Sequence, residues 1–310
     1  MSQFDIIIFM KLTFLGTGTS HGVPVISCDC AVCKSTDQKD KRTRSSAYIQ
    51  FEAKDGTSKF ILIDIGPDFR AQALRENIRQ IDAVLLTHSH ADHLHGIDDL
   101  RNFSCIMSTK PENPLNEKYD RPPIPLYTNK TAAEHLKHSF GYLFSEHAEG
   151  GGHAKISVIE QTSSFFIDDL EITPVPMKHG SLETTGWLLT EKTTEGLCSL
   201  AYLTDCNYIS DESISLIKEK SRLAEGGRLV HLVIDGLRIK EHSTHFSFLQ
   251  ALEVSSKIGG EHIWFTHLTH NSSHTETAAY IEEHRGEFPA LSDALSILPA
   301  YDGLVLSTGG

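Results

Sequence analysis

Short apolar runs, each closed by a polar residue, set the pattern of this chain. Residues 11–15 (KLTFL) alternate apolar and polar positions and stop at Gly16, Gly18 and Gly22, which predicts a strand running into a turn. Residues 47–51 and 60–65 predict two strands joined at Asp55-Gly56. One recurrence is more informative. Leu85-Leu86-Thr87-His88, Tyr202-Leu203-Thr204-Asp205 and Trp264-Phe265-Thr266-His267 each place a metal-ligating residue type at the end of an apolar strand. Continuous apolar runs suit strands buried on both faces, and ligands on strand ends converge on one sheet edge with their backbones held rigid. Residues 175–179 (VPMKH) have the same form, although Pro176 is unfavourable within a sheet.

Helical spacing follows. Residues 72–80 predict a short helix, and Leu94, Ile97, Leu100 and Phe103 predict one that continues from His93. Further helices are predicted over 131–144, 212–222 and 247–258. Residues 108–126, rich in proline and charge, read as a surface loop, and Gly150 to Gly152 close an insertion. Strands followed by helices, twice over, predict an α/β protein with helices outside the sheet. The expected organisation is a single domain over 11–310, carrying a loop-and-helix insertion at about 104–155. Residues 1–10 form an extension that leaves Met1 and Met10 as alternative starts. No apolar run approaches the roughly 20 residues that cross a bilayer. The FDIIIF stretch lacks the flanks of a signal peptide, so a cytoplasmic location without membrane contact is expected.

Charge and cysteine usage narrow the chemistry. The chain has 28 basic and 41 acidic residues, a net charge of −13, which argues against a nucleic-acid partner and for a small-molecule substrate. Homodimerisation stays open. Cys28, Cys30 and Cys33 are too crowded for a secreted disulfide framework, and CxCxxC reads as thiolate ligands. Cys105, Cys198 and Cys206 lack such spacing and are expected in the core. The glycine run lacks phosphate-loop spacing.

His88, His90, Asp92 and His93 form an HxHxDH cluster of imidazole and carboxylate, the mixture that divalent first-row metals accept. Two ions about 3.5–4 Å apart need a bridging ligand, and a carboxylate has two oxygens for the task. The expected assignment is His88, His90 and His179 on one ion, Asp92, His93 and His267 on the other, and Asp205 between them. Two dications, two carboxylates and a hydroxide sum to about one positive charge, so the pocket should attract an anion. Asp64 and Asp68 are expected to orient ligands. The other histidines, His231 among them, are expected to be solvated or structural.

The Gly16-Thr17-Gly18-Thr19-Ser20 turn, CxCxxC, LLTHSHADH, Asp205 and Thr266-His267-Leu268-Thr269-His270 together resemble the phosphoribosyl cyclic phosphodiesterase branch, of the carbon-phosphorus lyase pathway type, of the metallo-β-lactamase superfamily. The resemblance runs from about Lys11 to the C-terminus. It implies an αββα sandwich of two mixed sheets flanked by helices, two divalent active-site ions (zinc or manganese), and a structural zinc on Cys28, Cys30, Cys33 and His270. It also implies Asp92 and His245 as catalytic residues, His245 protonating the leaving group, with His242 the competing choice. The implied reaction is in-line attack of a metal-bridging hydroxide on a small, cyclic phosphodiester. Three other readings share parts of the pattern: a tRNA 3′-processing ribonuclease, a thioester or lactone hydrolase, and the quinone-biosynthesis B protein, which has CxCxxC but acts in oxidation. The ribonuclease needs a basic RNA-holding arm that this acidic chain lacks.

Overall fold

The computed structural model describes residues 9–107, 118–120, 122–144, 153–194 and 196–309. In chain order the strands of the first half are β1 (Lys11–Gly16), β2 (Ser46–Glu52), β3 (Ser58–Ile63), β4 (Ala83–Leu85), β5 (Cys105–Met107), β6 (Lys118–Asp120), β7 (Ile124–Thr128) and β8 (Ile156–Glu160). The second half adds β9 (Phe165–Ile167), β10 (Leu170–His179), β11 (Leu182–Thr193), β12 (Gly196–Leu203), β13 (Arg228–Asp235), β14 (His262–Thr266), β15 (Ser296–Pro299) and β16 (Val305–Ser307). One seven-stranded sheet has the order β16-β1-β2-β3-β4-β7-β8 and the other β15-β14-β13-β12-β11-β10-β9, while β5 and β6 pair as a separate ribbon. Both large sheets are mixed. Each joins antiparallel strands to a parallel set: β3, β4, β7 and β8 in one, β12 to β15 in the other.

The apolar runs are explained by layers on both faces of each sheet. Along β12, Leu200 and Tyr202 join Phe14, Ile49, Ile61 and Trp187 in the core between the sheets. Their neighbours Ala201 and Leu203 face the other way, against Ile214, Ile217, Leu252 and Ile281. The period of two is present, but both phases are apolar. Helix α1 (Ala31–Lys34) lies in the cysteine loop, while α2 (Phe69–Arg75), α3 (Ala91–Leu94), α4 (Arg101–Ser104) and α5 (Lys130–Ser139) cover the first sheet. The second is covered by α6 (Asp211–Lys220), α7 (Phe248–Ile258) and α8 (His274–His284). This is the αββα sandwich that the motifs implied. Among the described residues no helix is long and apolar enough to cross a membrane.

Several boundaries differ from expectation. The helix expected over 72–80 starts three residues earlier and ends at Arg75, because Asn77 turns left-handed at φ 53°. The apolar stripe Leu94, Ile97 and Leu100 is buried as expected, but a 3-10 turn over Ile97–Leu100 breaks the helix. Pro174 and Pro176 sit inside β10 because β9 pairs only with Leu170 to Ile172, which leaves the rest of β10 an edge. Within the stretch expected as loop, β7 is an interior strand with Ile124 and Leu126 buried. Pro125 falls before the first residue paired with β4, so it costs no ladder bond there. The expected 104–155 insertion therefore holds β7 and α5 of the sandwich itself. Residues 108–117 and the closing Gly150 to Gly152 lie outside the described residues, as do residues 1–8 of the expected extension. Met10, its last residue, is buried and donates its backbone N–H to Glu191.

Two contacts of this frame generate tests. A Cβ on Gly66 would overlap the Asp92 carbonyl oxygen, so the HxHxDH turn closes on bare backbone. Gly66→Ala is expected to destabilise the fold by about 1–3 kcal/mol, and an unchanged denaturant midpoint would contradict that packing. His231 on β13 donates from Nε2 to Ser307 O of the first sheet at 2.8 Å and accepts from Trp264 Nε1 at 3.2 Å. Burial pushes its pKa down to about 4, whereas in the unfolded chain the ring protonates near 6.5. The stability this neutral ring contributes is present above about 6.5 and is lost as pH falls toward 4. Between those pH values, His231→Gln should unfold with a shallower pH dependence than wild type; equal slopes would contradict the assignment.

Candidate active site

Three strand ends place acidic or imidazole side chains in left-handed backbone. Asp64 follows β3 at φ 58°, Asp205 follows β12 at φ 54°, and His267 follows β14 at φ 61°. Non-glycine residues occupy this region at an energetic cost, and such residues cluster at functional sites. The result is a set of side chains gathered where the strands of both sheets end.

Asp205 is at the centre and is almost fully buried. Its Oδ2 lies 2.9 Å from His93 Nε2 and 3.1 Å from His267 Nε2, while its Oδ1 lies 3.8 Å from His88 Nε2. Asp92 joins the Oδ2 side, 3.3 Å from His93 Nε2 and 3.9 Å from His267 Nε2. On the Oδ1 side, the His88 ring is 4.5 Å from that of His90, which is 5.2 Å from that of His179. The residues expected to divide between two ions are thus gathered around one carboxylate, and the His88 ring lies as near that of His93, at 4.4 Å, as that of His90.

Hydrogen bonds set the tautomers. Asp64, fully buried, accepts from Thr87 N at 2.8 Å, from Thr87 Oγ1 at 2.9 Å and from His93 Nδ1 at 2.7 Å. Because the Thr87 hydroxyl proton goes to Asp64, its oxygen accepts from His88 Nδ1 at 3.0 Å. His179 Nδ1 donates to Thr244 O at 2.8 Å. In His88 and His179 this leaves Nε2 as a lone pair, and in His93 it turns Nε2 toward Asp205. Buried Nε2 atoms of His88, His93 and His267 have no hydrogen-bond partner. Leaving such an atom unsatisfied costs about 1–3 kcal/mol, so convergent lone pairs beside two carboxylates fit a divalent cation. Electrostatics agree. Burial pushes the His88 pKa well below its usual value. Burial also opposes charge on His93, but Asp205, Asp92 and Asp64 outweigh it and raise that ring, so this side of the site calls for positive charge.

His245 adjoins these residues, its ring 4.5 Å from that of His179 and stacked 4.7 Å from that of His267. Its Nδ1 donates to Asp235 Oδ2 at 2.8 Å. Asp235 lies at the end of β13 and is fully buried, with Oδ1 unpartnered. His242 is half-buried, has its ring 5.3 Å from that of His245, and turns Nδ1 back to Thr244. The sequence reading missed Asp235, although Leu232-Val233-Ile234-Asp235 has the same form as the other strand ends. Asp68 does not orient a ligand as expected. It binds Arg44 instead, through N at 3.0 Å and Nη1 at 2.9 Å.

A second cluster lies beside the first. The sulfurs of Cys28, Cys30 and Cys33 are 3.3, 3.5 and 3.4 Å from His270 Nδ1. A tetrahedral zinc with sulfur arms of about 2.3 Å and a nitrogen arm of about 2.0 Å has S to N edges of roughly 3.5 Å, so the four donors fit that ion. The Cys33 backbone N–H, donated to Cys30 Sγ, holds the Cys30 thiol down to about 6, while burial pushes Cys33 up to about 11. The loop joining His267 to His270 is clamped. Leu268 N donates to Thr17 O at 2.8 Å, and buried Arg42 donates to Thr269 O and to Ser272 O. Cys198 and Cys206 are buried free thiols, as expected; the side chain of Cys105 lies outside the described residues.

Comparison with known proteins agrees with this architecture. A family model described as beta-lactamase superfamily domain matches residues 59–268. A protein named octanoyltransferase from Porphyromonas gingivalis is 34% identical over 302 residues, 95% of this chain and 51% of the relative, so the chain spans about half the length of that curated relative. Among solved structures, a diphosphatase of the PhnP family is similar at 36% identity and TM-score 0.72, covering 96% of this chain and 97% of that one. Zinc-bound PqqB from Methylobacterium extorquens shares the fold at TM-score 0.67 and 18% identity, covering 96% and 99% of the two chains. The matched family, the two mixed sheets and the gathered side chains that could hold metal lead to one conclusion: the chain belongs to the beta-lactamase superfamily, in its PhnP-like branch.

Proposed function

We propose that the protein hydrolyses small phosphodiesters, using two divalent ions held by His88, His90 and His179 on one side, by Asp92, His93 and His267 on the other, and by Asp205 between them. The observation that carries this reading is the Asp205 carboxylate, one oxygen of which faces His88 and the other His93 and His267. When bound, the ions supply charge that polarises the phosphoryl oxygens and lowers the pKa of the attacking water. The chain's own residues do the rest. Asp64 fixes the His93 tautomer directly and that of His88 through Thr87. Asp235 orients the His245 ring through Nδ1, and burial lowers the His245 pKa, which makes a proton at Nε2 easy to give to the departing oxygen. The carboxylate behind His245 favours it over His242 for that role.

The similarity to a diphosphatase at 36% identity supports attack at phosphorus. The octanoyltransferase is matched over about half its length, which leaves the other half of that protein without a counterpart in this chain. PqqB, at 18% identity, shares the fold alone, and the complete ligand set here favours hydrolysis over oxidation. The net charge of −13 favours a small substrate over RNA. Thiolate-rich Cys28, Cys30, Cys33 and His270 suit a structural zinc, whereas the imidazole and carboxylate pair of sites accepts zinc or manganese.

Element analysis with a phosphodiester panel tests these roles. Asp205→Ala is expected to empty the pair of sites and keep the cysteine-bound zinc. His245→Ala should keep every ion yet slow turnover of bis(p-nitrophenyl) phosphate by about 100- to 10,000-fold. Wild-type protein carrying one closed zinc and no further ion would remove the catalytic reading, and faster cleavage of precursor tRNA than of small diesters would favour the ribonuclease. Asp64→Ala is expected to weaken binding of the active-site ions by about 10- to 100-fold, read by competition with a metal indicator; unaltered affinity would contradict its orienting role.

A further inference from the structure

A cavity of about 260 Å³ adjoins His245, and none of the residues expected to hold the pair of ions lines it. His245 and His242 form one wall, and Ser20 and His21, from the glycine-rich turn singled out in the sequence, form another. Thr269 to Asn271 and Val25 place the cysteine cluster's loop against it, and Arg238 completes the lining. None of the lining side chains is acidic, in a chain with 41 acidic residues and 28 basic ones.

Arg238 is half-buried and held in place. Its backbone forms a bridge with Ser247, and its carbonyl accepts from Phe248 N at 3.0 Å, two anchors within three residues of His245. Its Nε donates to Lys240 O at 3.2 Å and its Nη2 to Glu241 O at 3.4 Å. Among the described residues no carboxylate pairs with it and none accepts from its Nη1. A fixed guanidinium edge without an acid partner, in a pocket lined without acids, is suited to an anionic ligand group.

The position relative to His245 says which part of a substrate enters. Hydrolysis forms a P–O bond from water, whose proton is released, and breaks the P–O bond to the leaving group. The departing oxygen takes the bonding electron pair and the proton from His245, so the leaving group lies against His245, which also lines this cavity. The volume is below the roughly 300–1,000 Å³ of pockets for drug-sized ligands, which suits a small leaving group. We propose that this cavity is the leaving-group pocket and that Arg238 selects phosphodiesters whose leaving group carries its own anionic group, a carboxylate or a phosphate. The inference rests on the phosphodiesterase reading above.

The test compares the methyl phosphodiesters of 4-hydroxybenzoate and of its methyl ester, which differ in one negative charge on the leaving group. Wild type is expected to favour the carboxylate in kcat/KM, and Arg238→Ala to reduce that preference by about 10-fold or more, the scale of a lost charge-assisted hydrogen bond. Lys240→Ala, which removes an exposed positive charge on the same loop but outside the cavity, should leave the preference in place. A preference untouched by Arg238→Ala, or reduced equally by Lys240→Ala, overturns the assignment of Arg238 alone. Wild type inert on both diesters, and on bis(p-nitrophenyl) phosphate, overturns the phosphodiesterase reading and this inference with it.

Discussion

The Asp205 carboxylate is the constraint on which the rest of the site depends. It is buried in contact with His93 and His267 through one oxygen and turned to His88 through the other. Burial alone would raise its pKa, yet the facing histidines hold it well below the usual carboxylate range. A buried charge of this kind persists only where opposite charge and hydrogen bonds compensate it. Imidazoles beside it supply part of that compensation, and their bare Nε2 atoms leave room for cations to supply more.

The fold exists to hold that carboxylate still. Asp64 and His267 sit one residue beyond strands of two packed sheets and Asp205 two, so the sandwich core fixes their Cα positions while left-handed backbone aims their side chains. The cysteine cluster extends the same rigidity outward. Its His270 is three residues from His267, and Arg42, through Thr269 O, and Thr17, through Leu268 N, clamp the backbone between them. Order at the cysteine loop is thereby linked to order at the sheet edge that holds Asp205 and to one wall of the cavity lined by His245.

Much of this was legible because the informative residues are contiguous. HxHxDH and CxCxxC announce themselves within six residues each, and three strands advertise their terminal ligands through the shared run of apolar residue, threonine, ligand. Asp235 escaped because its strand ends without the threonine and because its role appears only when His245, ten residues on, folds back onto it. β7 escaped because three prolines at 122, 123 and 125 mask an alternation that begins at Ile124. α8 carried a readable start in Ser273 and Glu276, which form a capping box, but its weak apolar stripe hid the helix that follows. Where tertiary pairing decided the outcome, local pattern was silent.

The central claim is that Asp205 joins two ions into one centre. Electron paramagnetic resonance of the manganese-loaded protein addresses it directly, because two manganese ions sharing a carboxylate are magnetically coupled. The account predicts a coupled dinuclear spectrum at full loading. A spectrum of isolated, uncoupled manganese at the same loading would contradict it.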